Sequence, residues 1–156
     1  MTRLRGRAPR GARAHDSAPL CRWTVRTMIS SIRLDGSKAC MTIDAPTDGA
    51  VFQAFTEQVL VPALRPGDIV VMDNLGAHRR EEIAAAVARA GAQAEYLPAY
   101  SPDLNPIEKM WSKVKEFLRA AKARTSDALD AAIAAAFQSV TAQDAAAWFA
   151  ASGYTI

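Results

Sequence analysis

Two acidic side chains stand where chemistry is usually done. Asp73 ends the apolar run Ile69-Val70-Val71-Met72, and Glu108 follows the proline-punctuated stretch Leu97 to Pro106 at the mouth of a helix. The carboxyl end of a buried strand is where open α/β sheets place their reactive groups. A strand-end Asp and a helix-start Glu from adjacent elements can converge on Mg2+, which takes hard oxygen ligands from a few carboxylates, water and phosphate. Two such ions roughly 3.5–4 Å apart serve in-line phosphoryl displacement by activating the attacking oxygen and stabilising the leaving one. The chemistry indicated is metal-dependent cutting or joining of DNA.

Each residue also has a plainer reading. Asp73-Asn74 after a strand can simply make a turn. Asn105-Pro106-Ile107-Glu108 has the spacing of a capping box, with a Glu that the helix dipole favours. A pair of carboxylates is also one short of the usual set; Asp44 and Asp103 are spare ligands or turn residues. His78, five residues after Asp73, could orient a ligand, contact a phosphate or cap the following helix. At about 100° per residue, Glu108 shares a flank of its helix with Lys115, Arg119 and Lys122, while Lys109, Lys113 and Arg124 lie on the other flank. Those cations are either phosphate ligands beside the carboxylate or a solubilising face whose stems cover the core edge. Trp111 and Trp148 sit in apolar helical stripes and read as core.

These side chains need a framework, and the sequence supplies one. Runs from Arg22 to Leu34 and from Lys38 to Ile43 flank Asp35-Gly36, a turn dipeptide, and predict a hairpin. Thr47-Asp48-Gly49 opens a helix carrying Val51, Phe52, Phe55, Val59 and Leu60, closed by Pro62 and Pro66. Ile69 to Met72 reads as a central strand covered on both faces. A helix over Arg80 to Ala90, stopped by Gly91, and a strand near Ala94 to Leu97 complete a parallel pair with a right-handed crossover. Asn105 as N-cap and Pro106 in the first turn start a helix with apolar Ile107, Met110, Trp111, Val114, Phe117, Leu118 and Ala121. Thr125 to Val140 and Thr141 to Ser152 predict two more.

The chain of 156 residues, half of them hydrophobic, can bury one ordinary core. Its net charge is only +3, yet 11 of the 19 basic residues fall within Arg3 to Arg13 and Lys109 to Arg124. That clustering points to a polyanionic partner. Residues 1–20 hold five arginines, two glycines and two prolines, with no acid before Asp16, and read as a basic arm. Cys21 and Cys40 have no neighbours at disulfide or zinc spacing, and no window has the roughly 18 apolar residues of a membrane span. A cytoplasmic, nucleoid-associated protein is expected.

Asp73-Asn74 and Tyr100-Ser101-Pro102-Asp103-Leu104-Asn105-Pro106-Ile107-Glu108, followed by Trp111 and lysines, resemble the catalytic domain of bacterial insertion-sequence transposases of the Tc/mariner superfamily, IS-six-thirty type. The Gly67 to Asn74 strand, Arg124-Thr125 and Gly153-Tyr154 are similar too, and 34 residues lie between Asp73 and Glu108, as between the family's second and third acids.

The resemblance implies an α/β, RNase H-like (retroviral-integrase-like) mixed sheet flanked by helices, with a core over 21–124 and a helical extension over 125–156. It implies a DDE triad binding two Mg2+ or Mn2+ ions to nick transposon ends and transfer them to target DNA. Asp73 and Glu108 match two metal ligands. Asn74, His78 and Asn105 would support them, and Lys109, Lys113, Lys115, Arg119, Lys122, Arg3, Arg5 and Arg7 would contact DNA. The family's first acid falls upstream of Met1, so a truncated or frame-interrupted transposase is expected, lacking its first strand and helix-turn-helix region. Its partners would be DNA and a second copy or a full-length transposase. The alternatives are a DNA-binding, dimerising remnant without catalysis, or an RNase H-like nuclease of another branch.

Overall fold

The computed structural model describes residues 6–15 and 25–155. The chain forms two compact units, Thr24–Lys109 with Thr141–Ile156, and Met1–Trp23 with Met110–Val140.

The first unit opens with an antiparallel hairpin of β1 (Thr27–Ile32) and β2 (Lys38–Ile43), in register from Thr27 opposite Ile43 to Ile32 opposite Lys38. Its turn closes as Asp35-Gly36 predicts: Gly36 takes φ +80°, and Asp35 accepts hydrogen bonds from the Ser37 amide and hydroxyl. Arg22 to Thr24, expected in the first strand, lie outside the described residues.

Helix α1 (Gly49–Phe55) is capped by the Asp48 carboxylate, which accepts from the Val51 amide at 2.9 Å. It continues as a π-helical turn over Thr56–Leu60 and a short 3-10 turn over Val61–Ala63. The widening has a local cause: the buried Thr56 hydroxyl donates to the Phe52 carbonyl at 2.9 Å and competes with the regular ladder.

Strand β3 (Ile69–Met72) pairs in parallel with β4 (Gln93–Tyr96), joined by α2 (Glu81–Arg89). Phe52, Phe55, Leu60, Met72 and Ile83 form a buried cluster. Ile29 and Met41 of the hairpin and Val70, Ala94 and Tyr96 of the parallel pair pack on it, so one core serves both sheets.

Two expectations are corrected. Among the described residues the strands form two separate two-stranded sheets, β1 with β2 and β3 with β4, rather than one mixed sheet. Nor is β3 a central strand: among the described residues β4 is its sole partner, and Ile69 is 62% exposed. A short apolar run reports on a strand's faces and not on its edges, so it does not separate a central strand from an edge strand.

After a 3-10 turn at Pro102–Leu104, helix α3 (Pro106–Ala121) begins in this unit and continues into the other. Helix α5 (Ala142–Ala151) belongs to the first unit and starts with a full capping box between Thr141 and Asp144. Gly36 of the hairpin turn lies against it so closely that an added Cβ would meet the Ala142 Cα at 2.7 Å. In the second unit, Met110, Val114 and Leu118 of α3 are buried, as are Ile133, Ala136 and Phe137 of α4 (Ser126–Gln138). Trp111 meets Phe137 edge-on, a core role as expected. Residues 6–15, the described part of the basic arm, are exposed.

Candidate functional site

The parallel register fixes where the chain leaves the sheet. Met72 lies opposite Tyr96, and the Leu97 amide extends the ladder to the Met72 carbonyl at 2.8 Å. Asp73 and the loop leading to α3 therefore emerge from the same end of the β3–β4 pair.

Asp73 is 43% exposed through its side chain, and its Oδ1 lies 2.5 Å from Nδ1 of His78. The Leu75 amide approaches the same oxygen at 3.4 Å. Oδ2 has no hydrogen-bond or ion-pair partner among the described residues. His78 does not cap α2, whose N-cap is Arg80. Its ring lies 4.0 Å from that of Phe52 between centroids, and its carbonyl accepts from the Tyr96 hydroxyl at 3.1 Å. Nδ1 is buried, and no other acceptor satisfies it; its N–H is poorly aligned on the carboxylate despite the short separation. Asn74 is exposed.

Glu108 stands in the first turn of α3. The capping box its spacing allows does not form: the Asn105 amide donates to the Pro102 carbonyl at 3.1 Å, and the Glu108 carboxylate is exposed with no partner among the described residues. Asn105 caps weakly, accepting from the Ile107 amide at 3.4 Å. The end of α5 steadies this segment. Tyr154 donates to the Leu104 carbonyl at 3.1 Å, and the Lys109 ammonium donates to the Ser152 hydroxyl at 3.2 Å. A Schellman turn aims Tyr154, with the Gly153 amide on the Ala150 carbonyl and the Tyr154 amide on that of Phe149. Burial pushes the Tyr154 phenol pKa up, so it stays a donor. Gly153-Tyr154 was visible in the sequence, but the object of its contact was not.

Two of the other acids are committed elsewhere, and a third is not. Asp44 pairs with Arg26 at 2.5 Å, Asp35 holds the hairpin turn, and Asp103 is exposed in the 3-10 turn. Asp68, which sequence reasoning passed over, takes a bidentate grip from Arg33 at 2.5 and 2.6 Å. No group of three or more His, Cys, Asp and Glu among the described residues is arranged to hold a metal ion. Asp73 and His78 are brought together, and Glu108 does not join them as a third. The donor chemistry nonetheless suits a hard divalent ion that keeps much of its shell as water and phosphate: Asp73 Oδ2 and the Glu108 carboxylate are oxygen donors without partners among the described residues.

Of the cations singled out, Lys109 is bound to Ser152 in the first unit. Lys113 is half-exposed, and Lys115, Arg119 and Lys122 are exposed, all in the second unit. Arg7 is exposed, while Arg3 and Arg5 lie outside the described residues. Cys40 is packed against Ser30, and burial raises its thiol pKa; Cys21 lies outside the described residues. Among the described residues no helix is long and apolar enough to cross a membrane.

A family model described as DDE superfamily endonuclease matches residues 1–130. Comparison with curated proteins finds no match.

Proposed function

Since the chain belongs to the DDE superfamily endonuclease family, we propose that it is the catalytic-core part of a transposase, of the Tc/mariner superfamily and IS-six-thirty type, that cuts and joins DNA ends. Asp73 and Glu108 serve as two of the family's metal-binding acids. The observation that carries this is the state of the two carboxylates. Asp73 leaves a strand end with one oxygen beside His78 Nδ1 and the other without a partner among the described residues, and Glu108 is kept out of its own helix cap.

Bound Mg2+ or Mn2+, two ions in the intact family site, would supply the charge that in-line phosphoryl displacement requires. The chain's own groups bind and orient. Asn105 and the prolines before α3 fix where Glu108 stands, and Ser152 and Tyr154 hold that segment against α5. Lys113, Lys115, Arg119, Lys122 and Arg7 meet backbone phosphates, which position the duplex without reading its sequence. The two small sheets belong to one RNase H-like arrangement. In its support, Arg33 after β1 and Asp68 before β3 tie the two sheets at one end.

A second reading has an observation of its own. Since no three-member ligand group exists among the described residues, the chain could bind DNA, or a second copy or full-length transposase, without catalysis. Incubating end-labelled duplex DNA with the chain and Mn2+ separates the two. Nicked or joined product that is lost in Asp73→Asn and in Glu108→Gln supports the enzyme. Salt-sensitive retention of DNA with no product supports the binding remnant instead.

A further inference from the structure

We propose that His78 is a positioning residue for Asp73: the imidazole holds one carboxylate oxygen so that the other is presented to a divalent cation. The inference deepens the assignment of Asp73 as a metal ligand and rests on it.

Three contacts fix His78, one on its ring and two on its backbone. From α1, Phe52 lies against the ring at 4.0 Å between centroids. From β4, Tyr96 donates to the His78 carbonyl at 3.1 Å and fixes the backbone. The Leu75 carbonyl accepts from the His78 amide at 2.9 Å, which turns the chain back after β3. The result is a side chain only 20% exposed with Nδ1 at 2.5 Å from Asp73 Oδ1.

A buried imidazole nitrogen without a partner is costly, and this one makes no hydrogen bond as it stands, with the Asp73 carboxylate the acceptor within reach. Asp73 Oδ1 lies beside Nδ1 at 2.5 Å, without an aligned hydrogen bond between them. With Oδ1 engaged by the ring and approached by the Leu75 amide, rotation of the carboxylate about χ2 is restrained, and Oδ2 is left for a ligand. Neighbours that hold a ligating carboxylate in this way set metal affinity as well as geometry, with losses of about 10–100-fold when they are removed.

The test is Mn2+ titration of the full chain, read by the loss of free-ion paramagnetic resonance signal, with circular dichroism to check folding. His78→Phe keeps an aromatic ring beside Phe52 but removes the donor. His78→Asn keeps an N–H near the Nδ1 position but removes the ring. We expect His78→Phe to weaken Mn2+ binding about tenfold, and His78→Asn to retain most of the affinity despite a lower melting temperature. Wild-type affinity in His78→Phe, or equal losses in both variants, overturns the proposal, the latter because it reports packing alone. Asp73→Asn run in parallel tells the two levels apart. If it leaves Mn2+ binding unchanged, the ligand assignment itself fails; if it alone weakens binding, only the role of His78 fails.

Discussion

Asp68 and Asp73 bracket the same four-residue strand and carry the same functional group, yet the protein uses them in opposite ways. Arg33 grips both oxygens of Asp68, and the Arg65 amide adds a third donor at 2.7 Å, which lowers the Asp68 pKa from 3.8 to about 2. Asp73 has one oxygen engaged and the other free. Nothing in the sequence separates them, because Arg33 lies 35 residues from Asp68 and becomes its neighbour only when the hairpin and β3 share a core. The consequence for Asp68 is pH-dependent stability. A carboxylate whose pKa is depressed by folding stabilises above its unfolded value and loses that contribution as pH falls through the folded one. The window therefore runs from about pH 4 down to about 2. With discount for solvent screening, the contribution is on the order of 1–2 kcal/mol. The unfolding free energy of Arg33→Ala from urea titration should fall by up to that amount at pH 7 and converge toward wild type near pH 2; a constant difference across the range would contradict the assignment.

At the level of elements, periodicity and punctuation located the hairpin, the helices and the parallel strand pair because those signals are local. What periodicity could not give was the neighbour of each element. Gly36 was readable as a turn glycine, but its approach to the start of α5 depends on tertiary packing. Gly36→Ala combines a left-handed φ of +80° with a backbone clash and should cost about 2 kcal/mol or more, seen as a fall in melting temperature. Lys122 offers the reverse case. It follows the last residue of α3 at φ 49°, the conformation glycine adopts freely. Lys122→Gly should raise stability by roughly 1 kcal/mol in denaturant titration, and a loss would show that the lysine side chain outweighs its backbone strain. The site divides along the same line. The positions of Asp73 and Glu108 at element ends were legible, whereas the failure of the capping box and the contacts on His78 were not, since each depends on which groups the fold brings together.

For the molecule as a whole, charge distribution says more than net charge. Exposed Lys115 and Arg119 in the second unit, with exposed Arg7, suit a phosphate backbone. If they contact it, DNA affinity falls linearly on a log scale with salt, and replacing Lys115 and Arg119 together by Gln should reduce that slope by about 2. An unchanged slope would remove them from the interface. The account depends most on the Asp73 and Glu108 carboxylates sharing a divalent ion, and Mn2+ calorimetry on the wild type, Asp73→Asn, Glu108→Gln and the double variant tests it directly. Each single substitution should weaken binding, and the double variant should lose little more than the worse single, because one ligand already lost disables a shared site. Mn2+ binding at wild-type affinity in the double variant would contradict it.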